Sequence, residues 1–310
     1  MSEFQLIYRY LAQFGAGPLV RLGVGDDAAV LAPPPGHVTL VSTDTQVEGR
    51  HFPTTTLPEH IAYRAVAAAA SDLAAMAAHP MGMTLALTLP SADELWLHSF
   101  SLGLGKVVKD LSLPLVGGDL TRGPLSLTVT VLGHAPADHW CRRSGAEPGD
   151  LIAVSGTLGD SAAALSLLEG AVAAPEGLSD LSLEWLEQRF FAPSPRFELV
   201  DWLAQHAHAS IDISDGLVAD LGHVAMASGT TLAIESHRLP LSQALQHWPE
   251  VQSLAWALSG GDDYELAFTF PNQLSPPPGS CVIGHVTDGP PEVRVDGETF
   301  NGRGYDHFQQ

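Results

Sequence analysis

The residues of this sequence best equipped for chemistry are acidic side chains set beside glycines and hydroxyls. They recur at four places. The first is the stretch 41–52, V-S-T-D-T-Q-V-E-G-R-H-F, where Ser42, Thr43 and Thr45 surround Asp44. The others are Gly25-Asp26-Asp27, Gly117-Gly118-Asp119 and Asp212-Ile213-Ser214-Asp215-Gly216. Carboxylates and hydroxyls are hard oxygen ligands, suited to Mg²⁺ and not to a soft metal. Two unit charges ~4 Å apart interact at roughly 4 kcal/mol for an effective dielectric near 20. Several carboxylates facing one cleft therefore need cations, and carboxylates repel ATP unless a cation mediates. The pattern predicts convergence on one magnesium–nucleotide site. It also predicts phosphoryl transfer by positioning and metal neutralisation, with no covalent nucleophile.

Each motif alone has a plainer reading. Gly23-Val24-Gly25-Asp26-Asp27-Ala28 formally fits G-x-G-x-x-A, but two adjacent carboxylates would repel a pyrophosphate, so a metal-binding turn or a simple Asp-rich turn remains. Gly103-Leu104-Gly105-Lys106 is no phosphate loop, because the first glycine is missing and Val107 replaces the hydroxyl. Asp72 sits in an alanine-rich helix and either points at water or, if inward, must be paired or metal-bound. Asp215 could serve as a helix N-cap, and Asp119 could belong to a tight turn. Ser259-Gly260-Gly261-Asp262-Asp263-Tyr264-Glu265 is a further glycine-acid turn. Arg142 and Arg143 supply rare positive charge for a phosphate, and His51 is a candidate contact for a second substrate.

The elements that must position these groups follow from periodicity. Ser2 with Gln5 reads as a capping box before an amphipathic helix. Strands are predicted at 38–41, 83–89, 113–116 and 125–132, with helices at 59–78 and 93–111, the latter with Ser91 as candidate cap. The stretch 135–150, rich in polar residues, Pro and Gly, marks a boundary between residues 1–137 and 138–310. A second alternation follows, including a strand at 210–213 and a helix at 217–227. Acid turns then fall where strands end, the usual ligand position in α/β sheets.

Composition narrows the class. The 310 residues are 45% hydrophobic, with a formal net charge of -21, which argues against nucleic acid. Cys141 and Cys281 are too few and too far apart for a disulfide framework or zinc site. No basic-then-apolar leader and no long apolar run is evident, so a cytoplasmic location away from membranes is expected.

Taken in order, G-V-G-D-D-A-A-V-L, V-S-T-D-T-Q-V-E-G-R-H-F, A-A-S-D-L-A-A-M, G-G-D-L-T-R-G, R-S-G-A-E-P-G-D, S-G-T-L-G-D-S-A-A, I-D-I-S-D-G-L, S-G-G-D-D-Y-E-L and G-Y-D-H-F span nearly the whole chain. The sequence closely resembles the bacterial thiamine-monophosphate kinases. That resemblance implies an α/β (α+β), two-domain chain similar to the aminoimidazole ribonucleotide synthetase superfamily. The N-terminal domain, with a mixed sheet that pairs with its symmetry mate, would bind ATP and magnesium and form a homodimer. The C-terminal α/β domain would complete the nucleotide and substrate site. The implied reaction is ATP-dependent phosphorylation of thiamine monophosphate to thiamine diphosphate, the last step of cofactor synthesis.

Carried onto this chain, Asp27, Ser42, Thr43, Asp44, Asp72, Asp119, Asp212 and Asp215 would hold several Mg²⁺ ions. Gly118, Asp119, Arg143 and Ser214 would contact ATP. His51 and Asp262 would contact thiamine monophosphate, with Asp262 standing where the family often has Glu. Phe300 or Tyr305 would take the part of a C-terminal aromatic that stacks on the substrate. The competing readings are a cyclo-ligase or selenophosphate synthetase type of the same superfamily, or a non-catalytic divalent-metal-binding protein. The selenophosphate type is disfavoured because no Cys precedes Cys141.

Overall fold

The computed structural model describes residues 2–300. The chain divides into two compact units, Met1–Leu73 with Ala78–Asp138, and Ala74–Ala77 with His139–Gln310.

The first unit opens on helix α1 (Glu3–Tyr10), whose start is set by the expected capping box: Gln5 N donates to Ser2 Oγ, and Ser2 N donates to Gln5 Oε1. Strands β1 (Val20–Leu22) and β2 (Val30–Leu31) pair antiparallel and bracket the first glycine-acid turn. The main sheet contains β3 (His37–Val47), β4 (His79–Leu89), β5 (Leu115–Arg122) and β6 (Ser126–Pro136) in the order β3-β6-β4-β5. Only β4 and β5 run parallel, as a helical crossover requires; helix α3 (Glu94–Leu111) supplies it. Asp93, not Ser91, caps α3, accepting from Leu95 N at 2.9 Å and Trp96 N at 3.2 Å.

Helix α2 (Pro58–Ala75) connects β3 to β4, and its alanines are almost all buried. Small side chains admit a neighbouring backbone, and the neighbour is α3: a Cβ on Gly103 would stand 2.0 Å from the Glu59 carbonyl oxygen. Two expected strand ends are strand interiors instead. β3 runs six residues past Val41, so Ser42–Thr45 lie within the sheet, and Gly117-Gly118-Asp119 lies inside β5. Threonines are good strand formers, and Thr43 and Thr45 pair across with Thr130 and Thr128. Hydroxyls that read as a loop in sequence thus extend the ladder.

The second unit carries a mixed sheet of β7 (Leu151–Val154), β8 (Ala209–Asp212), β9 (Thr231–Ile234), β10 (Leu266–Phe270), β11 (Cys281–Thr287), β12 (Glu292–Val295) and β13 (Glu298–Thr299). Their order is β13-β12-β9-β11-β7-β10-β8, with only β9 and β12 parallel. Helices α4 (Asp160–Leu168), α5 (Asp180–Phe191), α6 (Val200–His206), α7 (Leu217–Ser228) and α8 (Glu250–Ser259) accompany it. Ile211, Ile213, Leu217, Leu221, Val224 and Ile283 belong to one apolar cluster that joins β8, the loop after it and α7. That packing fixes where the loop after β8 stands. Among the described residues no helix is long and apolar enough to cross a membrane.

Candidate functional site: three acid clusters

The first cluster comes from alternation along β3. Ser42 and Asp44 share one face of the strand, and Ser42 Oγ donates to Asp72 Oδ2 of α2 at 2.5 Å. Burial pushes the Asp44 carboxyl up to about 6, and the Asp72 charge adds to the shift. Asp72 is therefore turned to the strand and not to solvent. Thr43 faces the other side, its Oγ1 2.9 Å from that of Thr130, so its side chain does not join Ser42 and Asp44. A pair of half-buried carboxylates with a hydroxyl beside them is a hard-oxygen set with unbalanced charge. Mg²⁺ commonly binds through one or two carboxylates and keeps its remaining waters, so this set fits it.

The second cluster lines a cavity of about 460 Å³ in the same unit. Asp26, Asp27, Gly117, Gly118 and Asp119 form its polar side, and Phe4, Ile7, Tyr8 and Leu11 its apolar side. Asp27 N donates to Asp26 Oδ1 at 2.9 Å, so the Asp26 carboxylate is folded back on its own backbone. Register places Asp119 opposite Ala86, and Ala86 opposite Thr128, on the row of Thr45. Asp119 thus lies on the face opposite Asp44 and three strands away, about 14 Å along the sheet. Asp44 and Asp119, both expected at one magnesium site, therefore point to opposite faces of the sheet. Among the described residues no three His, Cys, Asp or Glu side chains are gathered around a metal position.

The third cluster is in the second unit. β8 stops at Asp212, and Ser214 lies in the loop after it. The loop after it is zipped to the glycine-acid turn 259–265: Ile213 N donates to Glu265 O at 2.8 Å, Asp262 N to Ser214 O at 2.8 Å and Tyr264 N to Ile213 O at 2.9 Å. Asp212, Ser214, Asp215 and Asp262 are thereby brought onto adjoining loops. The N-cap of α7 is Gly216, with no side chain capping it, so Asp215 is not the cap. Asp220, the fourth residue of α7, instead ties the preceding loop to the helix. Its Oδ2 accepts from Ser214 N and Asp215 N, each at 3.0 Å. Burial, and then the Asp215 charge, push the Asp220 carboxyl up to about 7, while Arg143 pulls it down. Arg143 is exposed, and its segment is pinned by Ser210 N donating to Arg142 O at 2.9 Å.

Asp220 was not legible as a site residue, and an acid in a first helical turn is its only sequence signal. Replacing it by Ala is expected to free two N–H donors and lower stability by about 2 kcal/mol. Nucleotide affinity is expected to fall about tenfold, whereas Asp220→Asn keeps an acceptor and should lose less. Calorimetric binding of an ATP analogue would check both.

His51 follows β3. Val47 N donates to its Nδ1 at 3.0 Å, which leaves the ring proton on Nε2, and Arg64 Nε donates to its carbonyl at 3.2 Å. Phe300 packs against the apolar cluster of the second unit, and its N–H donates to Val293 O at 3.2 Å. Tyr305 lies outside the described residues.

The mixed sheet with its acid-lined turns defines an α/β protein of the aminoimidazole ribonucleotide synthetase type: residues 25–135 match the model of AIR synthase related protein, N-terminal domain. Closer relatives sharpen this. The thiamine-monophosphate kinase of Salmonella typhimurium is 43% identical over 329 residues, covering 99% of this chain and 98% of that one. The crystal structure of thiamine-monophosphate kinase from Stenotrophomonas maltophilia K279a superposes with a TM-score of 0.87 at 40% identity, covering 97% of this chain and 98% of that one. A structure described as AaThiL complexed with AMPPCP and TMP gives 0.81 at 34% identity, covering 92% of each chain. The chain belongs to the thiamine-monophosphate kinase family, and it is a phosphotransferase.

Proposed function

We propose that this chain transfers the γ-phosphoryl group of ATP to thiamine monophosphate, giving thiamine diphosphate and ADP. The observation that carries the reading is the interacting pair Asp44–Asp72, with the Ser42 hydroxyl bonded to Asp72, a charge arrangement that calls for a divalent cation. A relative of 34% identity described as complexed with AMPPCP and TMP supports the two substrates. A phosphate oxygen of thiamine monophosphate attacks the γ-phosphorus in line as the bond to the leaving ADP oxygen breaks. That oxygen is already ionised, so no general base is needed.

The chain's own residues bind and orient. Ser42, Asp44 and Asp72 would hold magnesium at one place in the first unit and Asp27 with Asp119 at another, while the Thr43 side chain turns to the other face of β3; Asp212 and Asp215 would hold magnesium in the second unit. Bound magnesium would offset the charge of the two anions so that they can approach. Gly118, Asp119, Ser214 and Arg143 would take the ATP phosphates, Arg143 as a forked donor. His51 Nε2–H and Asp262 would hold thiamine monophosphate, with Phe300 or Tyr305 against its rings.

Residues 1–137 would be the ATP, magnesium and dimerisation domain and 138–310 the domain that completes the site. The enzyme would act as a cytoplasmic homodimer through the four-stranded sheet. β3 is an edge strand there, with Val41 exposed, and the acids of the first unit lie on both faces of the sheet. Such an arrangement favours a site finished by a second copy.

One assay tests the reaction: purified protein with ATP, Mg²⁺ and thiamine monophosphate, products separated by chromatography. One thiamine diphosphate per ADP is expected, abolished by chelating the metal. No thiamine diphosphate would overturn the reading in favour of another ATP-using member of the superfamily. Metal binding without any ATP turnover would favour a non-catalytic protein.

A further inference from the structure

Below the loops that carry Asp212, Ser214 and Asp262 lies a buried charge network that none of the roles above uses. Arg189 of α5 is buried within the second unit and pairs with Glu265 at 2.8 Å. The same Nη2 donates to the Thr157 carbonyl at 3.2 Å and to the Asp263 carbonyl at 3.3 Å. Glu265, fully buried, also takes Arg196 Nε at 2.6 Å and the hydroxyl of Ser155. Asp160, equally buried, stands 3.9 Å from Arg189 Nε and accepts from Thr157, Trp185 and Ser242. Asp263 accepts from Gly159 N through both oxygens.

Three carboxyls therefore face two guanidinium groups. Burial pushes the Asp263 carboxyl well above the usual carboxylate range, and Arg189 pulls against it. Glu265 is held low against the effect of its own burial by Arg189 and Arg196.

Buried ion pairs are poor devices for stability, since apolar replacements often do as well, and in some proteins their use is to fix geometry. Geometry is what the adjoining loop needs. Gly261, Asp262 and Tyr264 have φ of 68°, 59° and 51°, so two non-glycine residues sit in the left-handed region within three positions. Such conformations persist only where the surroundings over-determine them. Asp262 lies at the crest, with the Tyr264 hydroxyl donating to its Oδ1 at 3.0 Å. The residues on either side of Tyr264, Asp263 and Glu265, are both gripped by Arg189.

We propose that Arg189 is a positioning residue for phosphoryl transfer: through the Asp263 carbonyl and the Glu265 carboxylate it clamps the loop 260–264 in the conformation that presents Asp262 to the acceptor. The inference rests on the proposed reaction for its kinetic consequence, and on the loop alone for its structural one.

The test uses Arg189→Lys in the full chain, with Glu265→Gln as second variant should the first not fold. Either is expected to raise the KM for thiamine monophosphate about tenfold while the KM for ATP changes less than threefold. Equal rises in both constants, or a lower Tm with both constants unchanged, would overturn the proposal, as would failure of both variants to fold. Hydrogen exchange separates this outcome from failure of the reaction itself. The amides of Asp262 and Tyr264 are expected to exchange at least about tenfold faster in the variant, with β10 unaffected. Unchanged protection there would overturn the clamp whether or not the wild-type chain phosphorylates thiamine monophosphate.

Discussion

Asp44→Asn and Asp72→Asn are each expected to lower turnover of thiamine monophosphate at least about a thousandfold at ordinary Mg²⁺, because a lost metal contact of several kcal/mol falls wholly on the transition state. The argument is electrostatic. Two carboxylates and a hydroxyl face one another across β3 and α2, and the Asp44 carboxyl rises to about 6 without a cation beside it. The same charge conflict predicts an opposite effect on stability.

An Asp whose pKa is raised on folding contributes fully below its unfolded value near 4. That contribution is lost as pH climbs through about 6. At pH 8 in chelator the wild-type chain therefore carries the whole penalty, on the order of 2–3 kcal/mol, and Asp44→Asn removes it. Metal-free Asp44→Asn should melt above wild type at pH 8 and converge with it toward pH 4. Adding Mg²⁺ should raise the Tm of the wild type more than that of the variant. A variant that keeps near-normal turnover would refute the assignment of this pair.

Gly118→Ala is expected to produce the largest loss of stability of any single-methyl change in the first unit's site. A Cβ there would stand 1.9 Å from the Leu85 carbonyl oxygen and 2.7 Å from its carbon, both backbone atoms of the neighbouring strand. No rotamer change relieves such a clash, so β4 and β5 must separate where they pair as Leu85 with Gly118. The cost should be about 3 kcal/mol or more, at the upper end of overpacking. β5 also carries Asp119 into the cavity shared with Asp26 and Asp27. Nucleotide affinity should accordingly fall with stability. Denaturant melts and calorimetric titration with an ATP analogue, run on the same sample, would read both. Gly117→Ala is the control: its Cβ would meet only a Thr84 methyl at 3.7 Å, and it should be nearly silent in stability.

What could be read from residues alone was mostly local. The Ser2–Gln5 capping box, the alanine-rich helix with Asp72 and the strand leading to Asp212 each announce themselves by composition and spacing. The hydroxyl-rich stretch 42–45 misled, because a run of Ser and Thr around an acid reads equally as a loop or as a strand; only pairing with the Thr128 and Thr130 rows decides. Asp220 and Arg189 were invisible for a different reason. Their partners lie in other segments, and an acid in a first helical turn or an arginine in an amphipathic helix is ordinary until those partners are known.

By itself, then, the sequence determined the chemistry available: hard oxygen donors in several short motifs, too many like charges for a cleft without cations, and an order of motifs that places the chain in its family. Which donors meet was decided by tertiary structure. Side chains alternate across a strand, so neighbours such as Thr43 and Asp44 go to opposite faces. Register then carries Asp119 to the Thr45 row, while Ser42 and Asp44 turn to α2. Spacing along the chain fixes parity within one strand and nothing across strands, which is why Asp44 and Asp119 fall on opposite faces of the first unit's sheet.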